Sequence, residues 1–459
     1  MSPNKNSSMT PASSPRIKGN PRDFLVAGFF GALYFLSSSD LFFAFRIHGL
    51  NFRLGQLLLL AAALPVVGDF LSDPRGQWNQ KDSGWPIFRF WVPFFAAYAL
   101  ATLFSENPGN TTLKLVWALF NIGGALLVVL SPRFNDALAR GFYFGIAAIA
   151  LSIWAQFLGL YWFRDLIHLS SFTPGEPMKI GLGGLFLGYT QPAGQFNDTS
   201  IYRPHAFFYE PSYAGCALAF AFPVWVAWGR GNNRWTGFLV PALILGAVFM
   251  TSSRSAILGV TLALLALLIG GLILSQKSLV KKTLKIILVG VLLLLGLCVA
   301  QGPRDYFGFL LGPLGPKAVV SRLPDEDSSE GWRLQNVINS LRLWGERPLL
   351  GRGVIPSPSN GKVLHGMGQS SESMWLEIGV ESGLVGFLAF AYALFRTIRS
   401  AAGACGDEDL LILVAAGLAV HLVVSMNFTS TFPRLDYWLL FFLAMRLWVR
   451  SPGETRRTQ

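Results

Sequence analysis

Charge is what this sequence has least of. Asp, Glu, Lys and Arg make up 14% of its 459 residues, against roughly 25% in a typical soluble domain. With apolar residues gathered in long blocks, that shortage excludes a soluble enzyme, and 52% hydrophobic residues exclude a disordered chain. Cysteine is scarce as well. Three residues cannot build a disulfide framework, and Cys216 and Cys298 lie in apolar runs. The five histidines have no metal-ligand spacing, and no P-loop or dinucleotide fingerprint occurs. Asp325-Glu326-Asp327 has a metal-type Asp-x-Asp spacing, but Asp407-Glu408-Asp409 repeats it in an unrelated loop. No metal site is assigned, and no cofactor is expected.

What fills the space is apolar sequence of membrane-spanning length. A spanning helix needs about 17 to 25 mostly apolar residues, and twelve blocks qualify: 24–44, 54–71, 88–104, 113–130, 138–159, 213–229, 235–252, 254–274, 284–301, 373–395, 409–426 and 433–449. The fold expected is an all-α polytopic membrane protein with about twelve transmembrane helices and a large outer loop containing amphipathic helices. Its parts are a disordered cytoplasmic tail (1–22), helices 1–5 (23–159), a first long outer loop (160–212), helices 6–9 (213–301), a second (302–372), helices 10–12 (373–449) and a second tail (450–459).

Lys and Arg set orientation, because they concentrate on the cytoplasmic side. With the N-terminus inside, the inner segments hold 21 Lys+Arg and 9 Asp+Glu, and the outer segments hold 16 of each. The strongest inner signals are Lys277, Lys281, Lys282 and Lys285, then Arg396 and Arg399, then Arg446 and Arg450. The net charge of +12 is therefore a topology signal, and nucleic acid is not an expected partner. Both termini are expected in the cytoplasm. On the outer face 12 of the 16 cations are Arg, the better fork for a phosphate or diphosphate.

Particular positions sharpen this. Arg254 opens the eighth block after a long apolar run; at that depth a charge costs a few kcal/mol unless it reaches the interface or an anion. Arg333 lies in a helical stretch where Leu334, Val337, Leu341 and Trp344 form one stripe at 100° per residue, with Arg333 inside it and Arg342 opposite. That helix is expected to lie in the interface and to turn Arg333 toward headgroups. It ends near Arg347-Pro348, before the turn Gly351-Arg352-Gly353. Glu372 stands at the outer mouth of the tenth block, and Glu377 and Glu381 descend into it one turn apart. The macrodipole accounts for one acid at a helix start; two more inside a membrane are costly and usually functional or paired. A carboxylate beside apolar surface and near arginines suits a general base. The first long loop delivers Arg203 and Glu210 to the start of the sixth block.

In this order these pieces resemble the bacterial O-antigen ligase and O-antigen polymerase superfamily. Arg203 to Ser212 resembles its Arg…Phe-x-Glu-Pro-Ser segment, and Thr251 to Gly259 its Ser-Arg-x-x-x-Leu-Gly element. Arg333 to Gly353 is similar to Arg…Trp…Arg/His-Pro-Leu-Leu-Gly-x-Gly, and Glu381 to Gly386 to Glu-x-Gly-Leu-x-Gly. The resemblance implies a C-type glycosyltransferase of the bacterial inner membrane, metal-independent and inverting. Such an enzyme takes a glycan from undecaprenyl diphosphate on the periplasmic face. It implies that Arg254, Arg333 and Arg203 bind the diphosphate and that Glu372 is the catalytic base. Glu210, Arg352, His365 and Trp375 are further substrate-binding candidates, with His365 a substitute base. Ligases of the family usually carry His where this chain has Glu372, which points to the polymerase and exopolysaccharide branch. Partners expected are the lipid-linked donor, a glycan acceptor, the bilayer and a chain-length regulator. The alternatives are an O-antigen ligase or O-linked oligosaccharyltransferase and, from another class, a carrier or flippase for lipid-linked glycans.

Overall fold

Helices account for nearly all of the described structure. The computed structural model describes residues 21–38, 43–47, 50–79, 84–161, 190–196, 199–204, 206, 208, 211–228, 236–299, 304, 306–307, 329–354, 373–404, 408–427 and 434–449. Glu210, His365 and Glu372 lie outside them, as do residues 1–20 and 450–459, Cys405, Asp407 and Asp325 to Asp327. In chain order the long helices are α1 (Pro21–Ser38), α2 (Leu54–Ser72), the short α3 (Pro74–Asn79), α4 (Trp85–Leu103), α5 (Pro108–Ala118), α6 (Gly124–Val129) and α7 (Asn135–Tyr161). They continue with α8 (Pro211–Trp228), α9 (Thr236–Met250), α10 (Arg254–Ile273), α11 (Lys277–Leu297), α12 (Ser329–Glu346), α13 (Met374–Ala404), α14 (Glu408–Asn427) and α15 (Leu435–Val449). Each of the twelve apolar blocks overlaps one of these helices or, for 113–130, α5 and α6 joined; the first block runs too long, since α1 ends at Ser38 and Phe43 and Ala44 belong to a strand.

Six stretches are long and apolar enough to cross a membrane: Leu54–Ser72, Trp85–Leu103, Pro108–Val129, Ala137–Tyr161, Arg254–Ile273 and Met374–Ala402. Shorter apolar helices cover Ser212–Val226, Gly237–Met250 and Leu411–Leu422 among the described residues. The chain is a polytopic membrane protein. Exposed apolar side chains run along the outer faces of α10 and α11, at Leu265, Ile269, Leu272, Leu288 and Leu292. In a bilayer that surface meets lipid tails.

The all-α expectation needs one amendment. Two antiparallel hairpins lie between helices: β1 (Phe43–Ile47) with β2 (Leu50–Arg53), and β3 (Thr190–Phe196) with β4 (Thr199–Pro204). Tyr, Phe, Ile and Thr favour strands, and a hairpin pairs backbone groups that a helix has released.

The core is aromatic. Trp91 of α4 is edge-on to Phe390 of α13 and to Trp438 of α15, with centroids 5.8 and 5.3 Å apart, and its indole N–H donates to Thr397 Oγ1 at 3.1 Å. α4 thereby packs along α13, while α1 packs along α7 and α10 along α14. Between α5 and α6 the helix widens into a π-turn at Leu119–Gly123, where buried Gln56 of α2 donates to Asn121 Oδ1 at 3.2 Å. Such a turn frees backbone and side-chain groups that a neighbouring helix has to satisfy. Arg446, read from sequence as an orientation signal, is buried; it donates to the carbonyls of Val129 and Ser131 and so caps the end of α6.

Candidate functional site

Alternating helices bring the start of α10 beside the ends of α7 and α9 and the starts of α8 and α15. The chain turns from α9 into α10 through Thr251-Ser252-Ser253, with Ser252 at φ +49°. Non-glycine residues in that region are strained and persist only where surroundings hold them. Ser253 caps α10 through its side chain, which accepts from the Ala256 N–H at 3.4 Å. Gly215 of α8 lies against the turn so closely that a Cβ there would stand 2.5 Å from Thr251 Oγ1.

Around this turn lie three arginines. Arg254 is the first residue of α10 and is exposed. Arg203, at the end of β4, interacts electrostatically with Tyr306, whose hydroxyl meets Ser252 Oγ at 2.5 Å and also donates to the Met250 carbonyl. Burial pushes the Tyr306 phenol above its usual range, with the Ser252 hydrogen bond and the Arg203 charge pulling the other way. It therefore remains an O–H donor at working pH. Arg434 precedes α15, is buried, and pairs with Asp436 at 3.1 Å. Its guanidinium lies 4.2 Å from the Tyr213 ring centroid and 5.6 Å from that of Phe208. The Cys216 thiol on α8 hydrogen-bonds Ser253 and Ser255 and feels the Arg434 charge. One shell thus contains Arg203 and Arg254, both expected from sequence, and Arg434, which sequence reasoning missed. Arg434 follows the Pro433 at the start of the twelfth block; an arginine opening an apolar block, as Arg254 does, was the available signal.

A second polar cluster lies where α4, α5 and α13 meet. Lys114 of α5 binds both Glu377 and Glu381 of α13, the latter at 2.5 Å. Tyr98 of α4, fully buried, donates its O–H to Glu381 Oε2 at 2.5 Å. The side chains of Glu377, Glu381 and Lys114 are 5%, 8% and 16% exposed, so these charges are largely out of water. Taking one partner from such a pair typically costs about 3–5 kcal/mol, because the other charge stays buried. The two descending acids are therefore paired, through a lysine more than 250 residues away.

The backbone of α13 breaks immediately below this cluster. Gly383 takes φ +65° and ψ −167°, inside what is otherwise one helix. In a continuous helix the N–H groups of Leu384 and Val385 would bond to the carbonyls of Val380 and Glu381. Here those carbonyls accept instead from Arg352 N at 2.8 Å and Gly353 N at 3.0 Å. The freed N–H groups donate to Pro348 O at 2.7 Å and Leu349 O at 3.2 Å. The segment Pro348–Gly353 thus lies in the break like a short strand and satisfies all four groups, as any irregular backbone at membrane depth requires. Gly351, at φ +71°, turns the segment. Two stretches that sequence shows separately, Pro348 to Gly353 and Glu381 to Gly386, are the two sides of one junction.

The other sequence-derived residues have these places. Arg352 donates to Glu106 Oε1 at 2.7 and 3.0 Å and also pairs with Glu346. Its carbonyl accepts from Glu106 N at 3.0 Å, which ties the junction to the α4–α5 turn. Trp375 packs on Phe387 and Phe390, with centroids 5.6 and 5.4 Å apart. Arg333 lies on α12, its side chain outside the described set. Of the stripe expected on α12, Val337 and Leu341 are exposed, as an interfacial face would be, and Trp344 turns inward. Trp344 packs inward on Phe387 and against Gly379, in line with buried Asn336 and Ser340, while Val337 and Leu341 are 39% and 51% exposed. Trp344 needs the space that Gly379 leaves open, and this rotates the inward face off the stripe. Among the described residues no group of three or more His, Cys, Asp or Glu is arranged to hold a metal ion.

Residues 238–391 match the family model described as O-antigen ligase, about a third of the chain. The chain carries a domain of the O-antigen ligase and polymerase family, whose members are membrane enzymes that transfer glycans. The match spans Arg254, Tyr306, Arg333, the Pro348–Gly353 segment and α13 as far as residue 391, its break included; Arg203, Lys114 and Arg434 lie outside it. No curated protein matches the chain.

Proposed function

We propose, from that family domain, that the protein is a polysaccharide polymerase acting at the outer face of a bacterial inner membrane. The observation that carries the reading is the shell around the start of α10, where Arg254 opens the helix after the Ser253 cap, Arg203 acts on Tyr306 and Arg434 on Cys216 beside that cap. Departure of a lipid diphosphate from an anomeric carbon leaves growing negative charge on its bridging oxygen. Fixed cations in a site of low polarity stabilise that charge far better than water does. Arg254 and Arg203 take this role, with Arg333 from α12 as the third contact expected from sequence.

The acceptor is a sugar hydroxyl of a second lipid-linked repeat unit. Glu372 removes its proton as the oxygen attacks the anomeric carbon of the donor. The bond to the diphosphate oxygen breaks with its electron pair, and attack from the opposite face inverts the carbon. Glu210, Arg352, His365 and Trp375 remain candidates for holding the two glycans. Both termini are cytoplasmic in this topology, and a chain-length regulator is the expected protein partner.

A ligase, which passes the glycan to lipid A core or to a protein, is the second reading, favoured by the description of the matched family. The two separate in one assay. Protein reconstituted with undecaprenyl-diphosphate-linked repeats and no other acceptor yields a ladder if it is a polymerase. Absence of a ladder, with transfer appearing only when core oligosaccharide is added, supports the ligase.

A further inference from the structure

We infer that Lys114 is a positioning residue for the proposed transfer, setting the depth and rotation of the half-helix that begins beside Glu372. The inference rests on the transferase reading above and deepens it.

Gly383 divides α13, so the outer half, Met374–Ser382, is a separate short helix. Its lower end is fixed by the four backbone bonds to Pro348–Gly353. Those bonds act only at the break, where glycine resists rotation little; beyond it the half-helix is held by side chains, with Trp375 on Phe387 and Phe390 and Gly379 against Trp344. Apolar packing leaves depth and rotation to be set by the polar contacts. Lys114 holds Glu377 and Glu381, which are one turn apart, and Tyr98 holds the second oxygen of Glu381. Glu377 N–H donates to Ser373 O at 2.9 Å, so the clamp reaches the first residue of the segment. Glu372 is the next residue in the chain.

Lys114 itself is well anchored. It stands in the second turn of α5, whose start is capped by Asn107. Nearby, Thr111 accepts from Val354 N at 2.9 Å, and Ser105 donates to Arg352 O at 3.2 Å. The clamp and the junction therefore share one rigid support. A general base displaced by 1 Å can lose about 100-fold in rate, and that is the size of effect the clamp protects.

The test is steady-state transfer by the full chain in vesicles, with undecaprenyl-diphosphate-linked repeats as donor and acceptor. Lys114→Met is expected to lower kcat by about 100-fold with KM within twofold, and Lys114→Arg to restore it to within about tenfold of the parent. Tyr98→Phe, which removes one O–H and keeps the ring, is expected to lower kcat several-fold; it decides the matter if Lys114→Met does not fold. The triple variant Lys114→Met/Glu377→Gln/Glu381→Gln removes clamp and charge together and is expected to stay slow. Recovery in the triple variant means that only an unpaired charge mattered and overturns the inference, as does a raised KM at unchanged kcat. A parent protein that forms no glycosidic bond overturns the transferase reading and this inference with it. An active parent with an unimpaired Lys114→Met overturns the inference alone.

Discussion

The two polar clusters differ in how their charge is held. Around the start of α10 three arginines gather: Arg254 is exposed, Arg203 lies near the Tyr306 phenol, and Arg434 pairs with Asp436. Where α4, α5 and α13 meet, one lysine bridges two carboxylates that are almost fully buried. A guanidinium at an apolar surface suits an anionic ligand, whereas a buried ion pair fixes geometry. The first arrangement suits a substrate with a diphosphate, and the second suits the frame around it.

That contrast breaks most severely at the junction. Gly383→Ala is expected to remove folded protein from the membrane, because a Cβ there would lie 2.3 Å from the Leu349 carbonyl carbon at a backbone angle that L-residues rarely adopt. The yield of monodisperse protein in detergent checks this. Next in size, Arg434→Ala is expected to lower transfer by about 100-fold if the arginine contacts the donor, in the range seen for loss of one preorganised donor to developing charge. Retained activity with reduced thermal stability would instead make Arg434 part of the frame. Smallest is Tyr306→Phe. It keeps the ring packing against Phe157, 5.1 Å away, and deletes hydrogen bonds to Ser252 and Met250. Roughly 1–3 kcal/mol of stability should be lost, read as a lower midpoint in a thermal scan with transfer reduced only a few-fold.

Much of the fold was legible in the sequence, and the reason is the bilayer. A membrane imposes one requirement on every span, a long apolar run, so each of the twelve blocks overlaps a helix, six of them long and apolar enough to cross. The hairpins were not legible, because strands of four to seven residues carry too little pattern beside runs of twenty. Glu377 and Glu381 announced their cost, and the sequence pointed to a partner or a function without naming one. Lys114 sits inside an apolar block and had been counted only as an outer cation. Nothing in local spacing links residues that far apart in the chain. On α12 helical periodicity gives the faces, and the fit of Trp344 over Gly379 decides which of them packs inward.

The central claim is that fixed arginines at the start of α10 stabilise a departing diphosphate. It is tested most directly by single-turnover transfer with purified parent protein and Arg254→Ala, both reconstituted with lipid-linked repeats. Removing one such contact should slow the chemical step by about 100- to 1,000-fold, with the variant still folded and in the membrane. Equal single-turnover rates in the two proteins would contradict the account.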